Sequence, residues 1–214
     1  VFKRPENGFR YRARLELSGR DTDEITKRVG AWAKNLNVAD PVDAQALLEC
    51  LWVFEEHRVA NLELLQRVFE ADEARVRSAA IRTLGHWAGK VEGWQDTLTA
   101  AARDESNLVR AEAVKAAVEF QGLAAAEAFF EVASRPTDPE LNTVINYGRS
   151  NLKVDAIVDD AVKNGVKLSV AAQMYVLRNA SVDDLLKMEK TEAVYQAVLS
   201  RDNASVSQLQ QSIA

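Results

Sequence analysis

The residue types that ordinarily carry chemistry are few in this chain: one cysteine, Cys50, and two histidines, His57 and His86. Cys50 and His57 fall on one face of a helix. Seven residues at 1.5 Å each separate them by about 10 Å, too far to share a metal ion. Cys50 stands beside Leu51 and Trp52 and reads as a small buried apolar residue. His57 follows Glu55 and Glu56 at a helix tip, where hydrogen bonding to the next turn is the simplest use of its ring. The carboxylate pairs Asp159-Asp160 and Asp183-Asp184 are adjacent in sequence, so on a helix they point about 100° apart and do not converge as an acid and a base must. No phosphate-cradling glycine loop, nucleophile elbow or His-Glu-x-x-His is present. A covalent c-type haem needs two cysteines ahead of a histidine, and one cysteine cannot supply them. The residues point to no catalytic, cofactor or metal site.

The elements around these residues form a repeat. Asp72-Glu-Ala-Arg-Val-Arg through Leu84 is echoed by Asp104-Glu-Ser-Asn-Leu-Val-Arg through Ala117. Aligning Val76-Arg77 on Val109-Arg110 gives a period of 33, which matches Ala80 with Ala113, Ile81 with Val114, Leu84 with Ala117 and Trp87 with Phe120. Weaker copies open at Asp40-Pro41 and Asp138-Pro139, so successive openings lie 32, 32 and 34 residues apart. Asp as an N-cap followed by Pro at the first helical position is a mechanical reason for that recurrence. Shorter helices are expected between the long ones, over 23–36, 61–70, 91–103, 123–133 and 154–163, and further helices over 168–178, 182–188, 192–201 and 205–213.

One such hairpin cannot bury its apolar face alone, so neighbours must stack. The expected fold is all-α: an α-solenoid of about five antiparallel helical hairpins plus terminal helices, spanning residues 21–214. Stacking brings the Arg of one repeat toward the Asp or helix end of the next. Asp72, Arg77, Asp104 and Arg110 are therefore expected to form a structural charge ladder.

Residues 1–20 read differently. They hold six basic residues against two acidic ones, a local charge of +4, which leaves −9 of the overall −5 for the rest. Phe9, Tyr11, Ala13, Leu15 and Leu17 alternate with Arg10, Arg12, Arg14 and Glu16, the pattern of an extended segment. Two readings stay open: a basic arm for an anionic partner through Arg10, Arg12 and Arg14, or a linker strand lying on the acidic body, the simpler of the two. Among the tryptophans, Trp87 and Trp32 fall on apolar stripes and read as core. Trp94 follows Gly93 at a weak helix start and is the aromatic expected to be partly exposed and open to a partner.

The composition agrees with a helical scaffold: 47% hydrophobic, 28% charged and 7% aromatic residues, with nine glycines and four prolines in 214 residues. A pI near 5.2 argues against non-specific nucleic-acid binding by the whole surface. The longest uncharged stretch, 203–214, is polar, so no membrane span is expected. The chain opens on Val1 with no signal-peptide pattern, and it reads as a segment of a longer protein or a processed product.

The pattern Asp-x-x-x-Val-Arg-x-x-Ala-x-x-x-Leu at 72–84 resembles HEAT repeats of the short bacterial kind. A narrower resemblance rests on Gly19-Arg-Asp-Thr-Asp-Glu24, Leu48 to His57, the Val76-Arg77 repeat, Pro136-Thr-Asp-Pro-Glu-Leu141 and Ser181 to Met188 taken in order. That set resembles the helical-repeat region of large secreted planctomycete and verrucomicrobial proteins, in which a dehydrogenase-like β-propeller precedes HEAT repeats and a c-type cytochrome domain follows. The resemblance implies a non-catalytic scaffold whose partners are flanking protein domains, in a periplasmic or secreted setting. The propeller and electron-transfer residues of that family have no counterpart in this chain. Two other readings stay open: a self-contained HEAT-like enzyme of the DNA glycosylase or bilin lyase type, and a free-standing adaptor.

Overall fold

The structure is a computed structural model that describes residues 1–202 and 204–213, with the side chains of all of these except Leu209 and residues 211–213. It is helical throughout, with no strand among the described residues. The chain divides into two compact units, Val1–Asp159 and Asp160–Ala214, and the division falls inside a helix.

In the first unit, five helices form one row: α1 (Asn7–Ser18), α3 (Pro41–Glu56), α5 (Ala74–His86), α7 (Asn107–Phe120) and α9 (Pro139–Leu152). Each packs on the next in that row. They begin at intervals of 34, 33, 33 and 32 residues. Between and after them in the chain come α2 (Thr22–Ala33), α4 (Leu62–Phe69), α6 (Gln95–Ala102), α8 (Gly122–Ala133) and α10 (Val154–Lys163), the last of which runs into the second unit. The first unit is thus an α-solenoid of stacked helical hairpins.

The matched repeat positions make its core. Val76, Ala80, Ile81 and Leu84 of α5 are buried, as are Val109, Ala113, Val114 and Ala117 of α7. Small residues set the spacing between neighbouring helices. A Cβ on Gly85 would meet the Ala116 Cα at 3.2 Å, and one on Gly148 would collide with Val114 and press on Phe129. Only glycine lets α9 approach α7 and α8 that closely. Capping follows sequence at two openings: the Asp40 carboxylate accepts from the backbone of Val42 and Asp43, and Asp138 accepts from Leu141 at 2.7 Å. Asp72 and Asp104 sit two or three residues ahead of their helices and cap neither, because without proline those helices start at Ala74 and Asn107.

Residues 1–20 are not an extended arm. Asn7–Ser18 is helix α1, the first helix of the row. The period-two alternation misleads because α1 turns Arg10, Ala13, Arg14 and Leu17, at helical spacing, toward α3, while Phe9, Tyr11 and Leu15 face outward and stay exposed. Trp32 is likewise not core. It is 38% exposed and meets Phe2, whose ring centroid lies 6.1 Å away.

The second unit holds α11 (Val170–Asn179), α12 (Val182–Leu185), α13 (Glu192–Leu199) and α14 (Val206–Ile213). Val182, Leu185, Val194 and Val198 form its core, with Leu177, Leu186 and Met188 packed around it. The Arg201 guanidinium donates to the carbonyls of Leu177, Arg178 and Ala180 and closes the end of α11. At helical spacing Val206, Leu209 and Ile213 make an apolar stripe on the last helix; Val206 is exposed, and the other two lie outside the described side chains.

Candidate interaction surfaces and the charge ladder

The ladder runs along the row of long helices. Arg77 of α5 donates from Nε and Nη2 to the two oxygens of Asp104, at 2.8 and 2.9 Å, in the bidentate geometry that arginine and carboxylate share. Its third branch donates to the carbonyls of Ala71 and Asp72. Asp72 thus takes part through its backbone, while its exposed carboxylate has no arginine at the matching place one period earlier, where Ala44 stands. The hydrogen bonds that Arg77 donates to Asp104 come first in holding its guanidinium above the usual arginine value.

Arg110, one period after Arg77, solves the same problem by other atoms. It donates to the Pro136 carbonyl at 2.8 Å and to the Asn107 side chain, and Asn107 in turn holds the Asp138 carboxylate. Burial, then the neighbouring Arg135, pull the Arg110 guanidinium below the usual arginine value, and its Nε is buried with no hydrogen-bond partner.

Four further cross-repeat contacts had no sequence motif to announce them. Arg82 reaches Glu112 at 3.0 Å, joined there by Lys115. Burial pushes the Glu112 carboxyl up, but these two partners outweigh it and hold the group below the usual carboxylate value. Arg103 pairs with Glu131, a hydrogen bond that likewise lowers the Glu131 carboxyl. In the row of short helices, Gln66 bonds Thr97 at 3.0 Å, and Arg67 of α4 donates to the carbonyls of Ala33 and Leu36 beyond α2. A complement at one repeat spacing is the signal that could have found these pairs.

Arg10 and Arg14 are not free for an anionic partner. Arg10 Nε lies 2.8 Å from Glu49 Oε1, and Arg14 Nη1 is paired with Glu49 Oε2. Glu49 is fully buried on α3 and also accepts from Gln45 at 2.9 Å. Arg14 extends to Glu56 at 3.2 Å, and its guanidinium lies over the Trp52 ring, 4.7 Å from the centroid. Arg12 points away and covers Phe9 at 5.0 Å. Trp94, at the start of α6, is half-buried and stacks on Phe120 with ring centroids 4.1 Å apart. One face of its indole is therefore taken within the chain.

Cys50 is fully buried, and burial pushes its thiol up to about 12. His57 joins α1, α2 and α3: one ring nitrogen lies 3.1 Å from the Leu17 carbonyl and the other 3.1 Å from the Thr22 hydroxyl. Only a ring nitrogen bearing a proton can satisfy a carbonyl, so Nε2 carries it and Nδ1 is free to accept from Thr22. His86 is paired with Glu55, which also accepts from Thr83 at 3.0 Å. Asp159 and Asp160 are exposed, while Asp184 belongs to the first turn of α12 and is bound by Ser181 and Lys187. Among the described residues, no three His, Cys, Asp or Glu side chains form a group that could hold a metal ion. No helix among them is long and apolar enough to cross a membrane.

No curated protein and no solved structure matches the chain. Residues 61–146 match the family model for HEAT repeats, from the N-cap of α4 into α9. That span contains the Arg77–Asp104 and Arg82–Glu112 rungs. HEAT repeats typically serve as non-catalytic scaffolds that bind other proteins, and this chain carries a HEAT-like region built as a helical-repeat scaffold.

Proposed function

We propose that this chain is a non-catalytic spacer and docking scaffold within a larger secreted or periplasmic redox protein, set between a dehydrogenase-like propeller and a c-type cytochrome domain. The observation that carries the scaffold reading is where the charged groups of the repeats go. Arg77, Arg82, Arg103 and Arg110 all reach the following repeat, so these side chains hold register between hairpins. Rungs of this kind fix each hairpin of the first unit against the next, which is what a spacer between joined domains requires. The ordered sequence resemblance supports the redox parentage, and any covalent haem would belong to another domain of that parent. Pairing of Arg10 and Arg14 with Glu49 weighs against the glycosylase alternative, which needs free cations along a phosphate track.

The test is the intact mass and visible spectrum of the native polypeptide that contains this segment. A mass far above 23.7 kDa together with a covalent haem band is the expected result. A colourless product of this size overturns the redox parentage and leaves the free-standing adaptor.

A further inference from the structure

Helix α1 meets α3 through an interface unlike the others in its row. None of its residues is buried, whereas α3 buries nine of its sixteen. Two of its four inward positions are arginines, and they converge on the fully buried Glu49 with Trp52 beneath Arg14. Its aromatic residues Phe9 and Tyr11 face solvent. The apolar anchor at this end is Phe2, ahead of the helix, and the connection to α2 at Gly19–Asp21 is exposed. A helix docked mainly by polar contacts, with His57 bridging its end to α2 and Lys3 paired with Asp43 ahead of it but with no sealed apolar face, belongs to the elements that open locally before the rest of a domain. When it opens, Glu49 becomes hydrated and the face of α3 stands free.

We propose that Gln45, Glu49, Trp52 and Glu56 of α3 form a docking site for a partner-protein helix carrying two arginines four residues apart, and that α1 is its resident, displaceable occupant. The chemistry selects arginine. Two guanidiniums must approach one carboxylate side by side, and one of them must also lie over an indole while reaching Glu56. A lysine ammonium has neither the fork nor the plane to do this. The small Ala13 between the arginines on the inward face sets the third requirement, a residue that lets the helices approach. The site goes beyond the scaffold reading and does not depend on the redox parentage.

The probe is a labelled synthetic peptide with the sequence of residues 4–20, added to the full chain and to the full chain carrying Arg10→Ser and Arg14→Ser. The double variant should bind the probe about tenfold more tightly than the unmodified chain, since its own α1 no longer competes. A probe with both arginines replaced by lysine should bind about tenfold more weakly. Adding Glu49→Gln to the double variant should remove the preference for arginine. Equal affinity of the two proteins for the probe, or equal affinity for the arginine and lysine probes, overturns the proposal. If the double variant fails to fold, hydrogen exchange on the unmodified chain decides. Excess arginine probe should speed exchange of the α1 amides while α5 and α7 stay unchanged. No change at α1 overturns the proposal, as does simultaneous exchange of α1 with α3 in the absence of probe.

Discussion

Helices α5 and α7 are joined by buried Val76, Ala80, Ile81 and Leu84 on one side and Val109, Ala113 and Val114 on the other, with Gly85 against Ala116. The Arg77–Asp104 pair then sits at the edge of that packing. Helices α1 and α3, two positions earlier in the same row, meet differently: charge lies at the centre, in Arg10, Arg14 and Glu49, with Ala13 and Leu17 beside it, and the larger apolar residues Phe9, Tyr11 and Leu15 lie outside. The contrast shows that one repeat geometry can be held by two kinds of force. Apolar burial fixes a pair of helices almost irrespective of salt, while an ionic interface responds to salt and to competing cations.

The largest effect should come from the apolar side of this contrast. Trp87→Ala removes a 1%-exposed side chain at the end of α5 and should cost about 3–5 kcal/mol in urea unfolding. Trp87→Phe should cost less than about 1.5 kcal/mol, because it also removes an indole N–H that is buried without a partner. A large loss for the phenylalanine variant would mean that the N–H has a use.

The two ion pairs can be set against each other directly. Arg77→Ala should cost about 3 kcal/mol, the low end for a buried pair, since the Ser106 N–H still bonds Asp104. Arg14→Ala should cost about 1 kcal/mol, because α1 can lift and let Glu49 hydrate. Equal losses in thermal or urea unfolding would break the distinction between the two interfaces. Gly148→Ala forces a methyl into Val114 and Phe129 and should cost about 1–3 kcal/mol.

Acid should act on the ladder next. Glu112 and Glu131 titrate below their ordinary value of 4.5 in the folded chain, so they contribute stability above about 4.5 that is lost as pH falls through their folded values. Unfolding measured across that window should show the decline, and Glu112→Gln should flatten it. The smallest expected signal is chemical. With its thiol pushed up to about 12 and fully buried, Cys50 should be alkylated at neutral pH only as fast as the first unit opens. Fast labelling of the native chain would show that α3 is loosely packed.

Much of the fold was legible. The 33-residue period placed α5 and α7, and the Asp-Pro openings placed α3 and α9 almost to the residue. The first helix was misread because Phe9 to Leu17 alternates locally in twos, and the arginines it turns inward find their partner 35 and 39 residues away. Extending the 33-residue period backward from Pro41 would have placed a helix start at residue 8, one from the observed Asn7. Trp32 was misread for a related reason: its stripe with Val29 and Leu36 is apolar, but at this edge of the stack Phe2 covers it only in part.

What the amino-acid order determined by itself is whatever depends on near neighbours: helical periodicity, proline-set starts, and a repeat that must stack because one hairpin cannot cover its own apolar face. Only tertiary structure decided which charges meet. A buried carboxylate must find partners wherever the stack brings them, and Glu49 finds them on α1 and Glu112 on α5. Desolvation makes those pairings obligatory, and its strength depends on packing that forms only after distant segments have come together.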